Sequence, residues 1–149
     1  MYSYVTYALH RIRMLQHYGV RPYVVFDGGH LPSKQGTERE RAERREQHRK
    51  RGLQYMAENR ASAARDAFSR CVDVTPQMAA QLIRQLRAEN IPYVVAPYEA
   101  DAQLTYLEQE GLIDGIISED SDLLVFGCKT VLFKLDTYGN CCLLYTSDA

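Results

Sequence analysis

Three short apolar, β-branched runs, Tyr23–Phe26, Tyr93–Val95 and Ile116–Ile117, each lead directly into acidic residues, and helix-length segments separate them. Short strands joined by helical crossovers pair in parallel, and an open parallel sheet gathers the loops that leave its strands along its carboxyl edge. That edge would receive Asp27 from Val-Val-Phe-Asp-Gly-Gly, Glu99 and Asp101 from Ala-Pro-Tyr-Glu-Ala-Asp-Ala, and Asp120 and Asp122 from Ser-Glu-Asp-Ser-Asp-Leu. The expected fold class is therefore α/β, a parallel central sheet flanked by helices.

Each acidic group has an ordinary structural explanation when taken singly. Glu99 and Asp101 open a helix-like segment, where the positive end of the helix dipole favours anions. Asp27 suits a turn, and Asp120-Ser121-Asp122 suits another helix start. Their joint occurrence after three successive strands is harder to explain that way, because five carboxylates on one rim repel one another. Hard divalent cations with a preference for oxygen ligands relieve such repulsion, and Mg²⁺ or Mn²⁺ fits an all-carboxylate set. Two such ions suit phosphodiester hydrolysis: one acidifies a bound water, and the other stabilises the leaving oxygen.

Charge is divided along the chain, although the net value is only −1. Between Lys34 and Arg51 lie eight Lys or Arg and four Glu, whereas Pro97–Asp122 holds eight acids and no Lys or Arg. A basic segment suits a phosphate backbone, and an acidic pocket suits cations. Lys34, Arg41, Arg45 and His48 fall at intervals of about one helix face, provided the helix reaches back to Lys34; a solvated, salt-bridged helix explains most of these charges equally well. Tyr55 and Phe68 could stack on bases, with core packing the more ordinary use.

Cys71, Cys128, Cys141 and Cys142 show no C-x-x-C spacing and no pairing with His10, His17, His30 or His48, which argues against a zinc site or a disulfide framework. A reducing, intracellular setting is the expectation. No apolar run approaches the roughly 18 residues of a membrane span, so no membrane partner is expected.

The chain opens on a helical pattern, Val5, Leu9, Ile12, Met14 and Leu15, closed by Gly19. No lead-in strand precedes it, so a first strand of the sheet is expected to lie outside the sequence. Thr37 and Glu40 form a capping box for a charged helix, with Glu40/Arg44 and Glu46/Lys50 as supporting pairs. Asn59 is a candidate cap for a second helix along Ala61, Ala64, Phe68 and Cys71, and Thr75-Pro76 starts a third. A helix over Glu99–Glu110, a turn at Asp122–Gly127 and a strand at Val131–Leu135 complete the pattern. Gly36 to about Arg70 interrupts the strand–helix rhythm as an insertion.

Val-Phe-Asp-Gly-Gly-His-Leu-Pro-Ser-Lys, Thr-Glu-Arg-Glu-Arg-Ala-Glu-Arg-Arg-Glu, Ala-Pro-Tyr-Glu-Ala-Asp-Ala-Gln-Leu-Thr-Tyr-Leu and Ser-Glu-Asp-Ser-Asp-Leu-Leu-Val-Phe-Gly-Cys-Lys resemble the flap endonuclease/XPG superfamily of structure-specific 5′ nucleases over about Tyr4 to Asn140. The Pro-Tyr-Glu-Ala-Asp string, Leu-Pro-Ser-Lys and Phe-Gly-Cys-Lys are similar to its exonuclease branch rather than to flap endonuclease proper. The resemblance implies a PIN-like 5′ nuclease core over residues 1–140, with a helical arch at about 34–75 and an internal XPG-type region at about 90–135. It also implies Mg²⁺-dependent 5′→3′ hydrolysis of double-stranded DNA with flap cleavage, two metal ions with Mn²⁺ able to substitute, and Asp27, Glu99, Asp101, Asp120 and Asp122 as ligands. Lys34 and Arg41 would act on the scissile phosphate, and Arg44, Arg45 and His48 would join them in binding DNA with 5′ ends, nicks or flaps. Work in the nucleus, alongside mismatch-repair proteins and in end resection, is implied as well. The superfamily carries a further strand with a metal-site Asp before this region and another carboxylate and a duplex-gripping helical motif after it; without them the chain is expected to be a poorly active fragment. Residues 141–149 match nothing in the pattern, and their origin stays open. A flap endonuclease paralogue and a catalytically inactive DNA-binding fragment are the rival readings.

Overall fold

The computed structural model describes residues 3–145, so the last four residues of the 141–149 tail lie outside the described part. The described residues form two compact units: those up to Gly29 together with those from Ala79 onward, and His30–Met78 between them.

The first unit has the expected α/β character. Helix α1 (Ser3–His17) ends just before Gly19, whose φ of +79° lies in the left-handed region that glycine adopts without cost. It leads into β1 (Val24–Phe26), which pairs in parallel with β2 (Tyr93–Val95), Val24 opposite Tyr93 and Phe26 opposite Val95. Strand β3 (Ile116–Ser118) pairs in parallel with β4 (Thr130–Phe133), and β5 (Cys142–Tyr145) returns antiparallel to β4. The expected single sheet is thus resolved into a two-stranded sheet, β1–β2, and a three-stranded sheet, β3–β4–β5. The apolar core divides the same way. Val5, Leu9, Ile12, Leu86 and Ile91 bury one cluster beneath β1 and β2, and Ile116, Leu123, Cys128 and Val131 bury another around β3 and β4.

Helix α5 (Ala100–Gln109) ties these parts together by polar contacts at both ends. At its start, the Ala100 amide donates to Asp27 Oδ1 at 2.8 Å. Near its end, the Glu108 carboxylate accepts the amides of Lys129 and Thr130 at 2.7 Å each, which fixes the entry into β4. The turn expected at Asp122–Gly127 contains a short helix, α6 (Asp122–Val125). Arg11 of α1 donates to the Leu135 carbonyl, and Asp136 closes the β4–β5 connection by accepting from the Tyr138 and Asn140 amides. The Asn140 side chain, with those amides, holds the Asp136 carboxyl below its ordinary range.

The second unit is helical. A 3₁₀ turn, η1 (Pro32–Lys34), runs directly into α2 (Gln35–Ala57), so the helix starts ahead of the Thr37 capping box and Lys34 takes the cap position. Proline at the start of η1 supplies a ready φ and lacks only an amide that would be orphaned there. Helix α3 (Ala61–Ser69) starts after Arg60 rather than on an Asn59 cap; Asn59 instead takes a φ of +56°, reversing the chain. Ala64 and Ala67 are buried, and the Phe68 ring lies over Gly52, where an added Cβ would come within 2.7 Å of it. Tyr55 packs its ring under the Arg60 guanidinium at 4.6 Å. Both aromatics are therefore engaged in packing within this unit. Thr75-Pro76 opens α4 (Pro76–Ala88) as expected.

Candidate metal centre

Sequence pattern and backbone geometry place all five candidate carboxylates in the first unit. Asp27 comes directly after the last residue of β1, Glu99 and Asp101 occupy the cap and first turn of α5 beyond β2, and Asp120 and Asp122 lie just past β3. The two exits nearest Asp27 are held unusually close. The Ala96 amide donates to the Phe26 carbonyl at 2.8 Å, Gly28 N to Tyr98 O at 2.6 Å, and Gly29 N to Pro97 O at 3.0 Å. A Cβ on Gly28 would sit 1.8 Å from the Ala96 carbonyl oxygen, so any side chain there forces the two segments apart. Gly28 holds this approach in place, and the sequence showed it only as a member of the Val-Val-Phe-Asp-Gly-Gly string.

Two of the carboxylates also do ordinary structural work. Asp27 caps α5 through the Ala100 amide, a contact between residues distant in sequence. Asp120 Oδ1 accepts the Asp122 amide at 2.9 Å, and the Asp120 amide donates to Ser118 Oγ at 3.0 Å, so the acidic loop is folded on itself. Glu99 stands at the cap position of α5 without capping it through its side chain.

Asp101 feels the charge of all four other acids. Partial burial pushes the Asp101 carboxyl above the usual aspartate range, and the charges of Asp120, Asp27, Glu99 and Asp122 push it further in that order. Among the described residues, Asp27, Asp101, Asp120 and Asp122 form no salt bridge that would relieve this crowding. The donor set, carboxylate oxygens alone, fits a hard divalent cation. It is not closed, however: among the described residues, no three of His, Cys, Asp and Glu are disposed as a ligand group for one ion. The acids share one field rather than one cage, as expected of like charges that spread until something attracts them.

In the second unit, the candidate DNA-binding residues lie on or next to α2. Lys34 is exposed at its start, Arg41 pairs with Glu38 at 3.2 Å, and Arg45 pairs with Asp73 at 3.1 Å. Arg44 is exposed and His48 half-buried. The supporting pairs differ from those expected, since Arg39–Glu43 and Arg49–Glu46 replace Glu40/Arg44 and Glu46/Lys50. The i,i+3 partner Arg49 is closer to Glu46 and forks onto both of its oxygens, holding its carboxyl below the ordinary range.

Residues 1–48 match the family model of the XPG N-terminal domain, and residues 90–147 that of the XPG I-region, which reaches past Asn140 into the tail. Exodeoxyribonuclease 1 of Schizosaccharomyces pombe is 57% identical over 146 residues, 98% of this chain and 26% of that protein. Exonuclease 1 of Arabidopsis thaliana is 47% identical over 137 residues, 92% of this chain and 19% of that protein. The chain thus spans 26% or less of the length of these two relatives. Among solved structures, the catalytic core of Rad2 in complex with DNA substrate superposes with a TM-score of 0.67 at 32% identity, covering 95% of this chain and 37% of that one. The Holliday junction-resolving enzyme GEN1, in complex with product DNA and Mg²⁺ ion, shares the fold at a TM-score of 0.56 and 24% identity, over 95% of this chain and 26% of that one. With the two XPG regions matched in order and exonuclease 1 relatives aligned along nearly its whole length, the chain belongs to the XPG superfamily.

Proposed function

We propose that this chain carries the metal-binding core and the basic helical unit of a Mg²⁺-dependent 5′→3′ exonuclease of double-stranded DNA, with flap cleavage as a related activity. The observation that carries this reading is the placement of five carboxylates just beyond the ends of three strands, β1, β2 and β3, and the raised Asp101 carboxyl agrees with it. Partial burial, and then the charges of Asp120, Asp27, Glu99 and Asp122 arriving from three separate strand exits, keep its proton bound above the ordinary range. The relatives named exonuclease 1 and the DNA-bound Rad2 core support the polymer and the reaction class.

Those five carboxylates would hold the cations, two in number, with Mn²⁺ able to replace Mg²⁺. When bound, such ions acidify water and stabilise a leaving oxygen. The chain's own part is to present oxygen ligands on rigid strand exits, within a stretch, Pro97–Asp122, that holds no Lys or Arg to compete for them. Lys34 and Arg41 are assigned to the scissile phosphate. Arg44, Arg45 and His48 are assigned to the strand backbone, where guanidinium and imidazolium groups bind phosphate oxygens. Arg41 and Arg45 exchange Glu38 and Asp73 for phosphate as DNA arrives. A nuclear role in mismatch repair and end resection rests on the kind of relatives the chain has rather than on any side chain.

The test uses the chain extended to its relatives' length, with 5′-labelled recessed and flapped duplexes and a Mg²⁺ titration. Stepwise release from the 5′ end that vanishes in Asp120→Ala, with DNA affinity retained, supports the proposal. Cleavage surviving that change removes Asp120 from the site, and preference for flaps over recessed ends favours the flap endonuclease reading. The unclosed ligand set favours one further reading, a DNA-binding fragment without catalysis. Metal-independent binding with no cleavage at any Mg²⁺ or Mn²⁺ concentration would establish it.

A further inference from the structure

Thr75-Pro76 is the only place in the sequence where a hydroxyl residue precedes proline. It closes a connection, Val72–Thr75, that lies in neither helix nor strand, and all four of its residues are exposed, Val72 at 70% and Val74 at 74%. A protein kinase needs its acceptor in an irregular, accessible segment of this kind, and proline after the acceptor defines the proline-directed class. The hydroxyl is not indispensable where it stands. The Met78 amide that it accepts at 3.3 Å is already taken by the Thr75 carbonyl at 3.0 Å, so the helix start keeps its hydrogen bond when the side chain turns away. Two residues earlier in the same connection, Asp73 holds the Arg45 guanidinium, an anion receiver, at 3.1 Å.

From these observations we propose that Thr75 is a phosphorylation site for a proline-directed Ser/Thr kinase, and that the phosphate takes Arg45 from Asp73. In the transfer, Thr75 Oγ1 forms a bond to the γ-phosphorus of ATP, the bond to the bridging oxygen breaks, ADP leaves, and the hydroxyl proton passes to the kinase's base. The product adds nearly two negative charges and three acceptor oxygens to the connection whose Asp73 holds Arg45, and a guanidinium suits bidentate capture of phosphate. One consequence rests on the function proposed above: with Arg45 occupied and anionic charge added to the basic unit, DNA binding weakens while the carboxylate site is untouched.

The purified chain is incubated with a proline-directed kinase and Mg-ATP, and the modified residue is located by peptide mass spectrometry. One phosphate on Thr75, kept in Thr75→Ser and absent from Thr75→Ala, is expected. No phosphate on Thr75, with the chain folded by circular dichroism, overturns the proposal. Capture of Arg45 is read independently of DNA by phosphorus NMR across pH. The second ionisation of the phosphate moves to lower pH in the phosphorylated chain and returns in phosphorylated Arg45→Gln; an unchanged titration overturns the capture. Anisotropy with a labelled recessed duplex then separates the two readings. Binding about tenfold weaker after phosphorylation, as for one lost phosphate contact, supports the consequence. Failure of both forms to bind DNA overturns that consequence and the proposed function, while the mass spectra and NMR still decide the site.

Discussion

Asp27 shows how one carboxylate serves two ends. Its Oδ1 accepts the Ala100 amide across 73 positions of sequence, a cap normally supplied by a helix's own neighbour. Asp27→Ala is therefore expected to lose about 1 kcal/mol of stability, measured by urea denaturation. Asp27→Asn keeps the oxygen acceptor and should lose much less, while still surrendering a negative charge from the candidate cation site. Asp101 makes the opposite case. Burial first, and the four other carboxylates next, raise its folded-state pKa, so the native state favours its protonated form. That contribution is complete below the ordinary aspartate value of about 3.9 and is lost as pH climbs through the raised value. At neutral pH the ionised Asp101 costs stability. Asp101→Asn should raise Tm at pH 7, with the gain fading toward pH 3, and thermal scans across that range check it. If Tm at pH 7 fell instead, the crowding would not be the dominant effect at this position.

At the scale of elements, the approach of β1 to β2 is set by the segments just beyond their carboxyl ends. Gly28→Ala places a methyl 1.8 Å from the Ala96 carbonyl oxygen, and the exits that carry Asp27 and Glu99 have to separate. A loss of several kcal/mol, beyond the typical single-mutation range of about 0.5–3, is expected. Gly29→Ala, whose nearest contact is 3.4 Å, should be close to neutral, and paired denaturation curves separate the two. Nothing in the sequence warned of this difference, because the two glycines are adjacent in Val-Val-Phe-Asp-Gly-Gly and only the segment after the partner strand distinguishes them. The start of α4 was legible, since Thr75-Pro76 is a local signal that survives in the fold. The start of α2 was not, because Pro32 launched a 3₁₀ turn that carried the helix past its expected capping box. Strand exits were legible from the short apolar runs, and so was the acid that follows each of them. The division into two sheets was invisible, since a period of two and a β-branched run say which segments are strands but nothing of which strand edges meet. Glu108 escaped notice for a related reason: its partners, the Lys129 and Thr130 amides, lie 21 and 22 positions away.

Across the whole molecule, charge is divided between the two units as the sequence divides it. The second unit carries the basic stretch, and its ion pairs are mostly exposed and individually weak. They yield readily to a polyanion, so affinity for duplex DNA should fall steeply with salt. Each phosphate contact contributes about −0.9 to the slope of log affinity against log salt, and Arg44→Gln should flatten that slope by about one contact. Titration by anisotropy at several salt concentrations measures both, and an unchanged slope would remove Arg44 from the interface.

The first unit has two sheets, each over its own apolar cluster, and this bears on cooperativity. Clusters with separate buried sets open with separate free energies, so amide hydrogen exchange should resolve two protection classes, one for β1 and β2 and one for β3 and β4. The candidate ligands straddle that divide: Asp27 belongs to the first strand pair, Asp120 and Asp122 to the second, and Asp101 to the helix tied to both. A cation that binds only when all of them are in place raises the cost of opening either half alone. Mg²⁺ would then act as a thermodynamic clasp, merging two exchange classes into one before any substrate arrives.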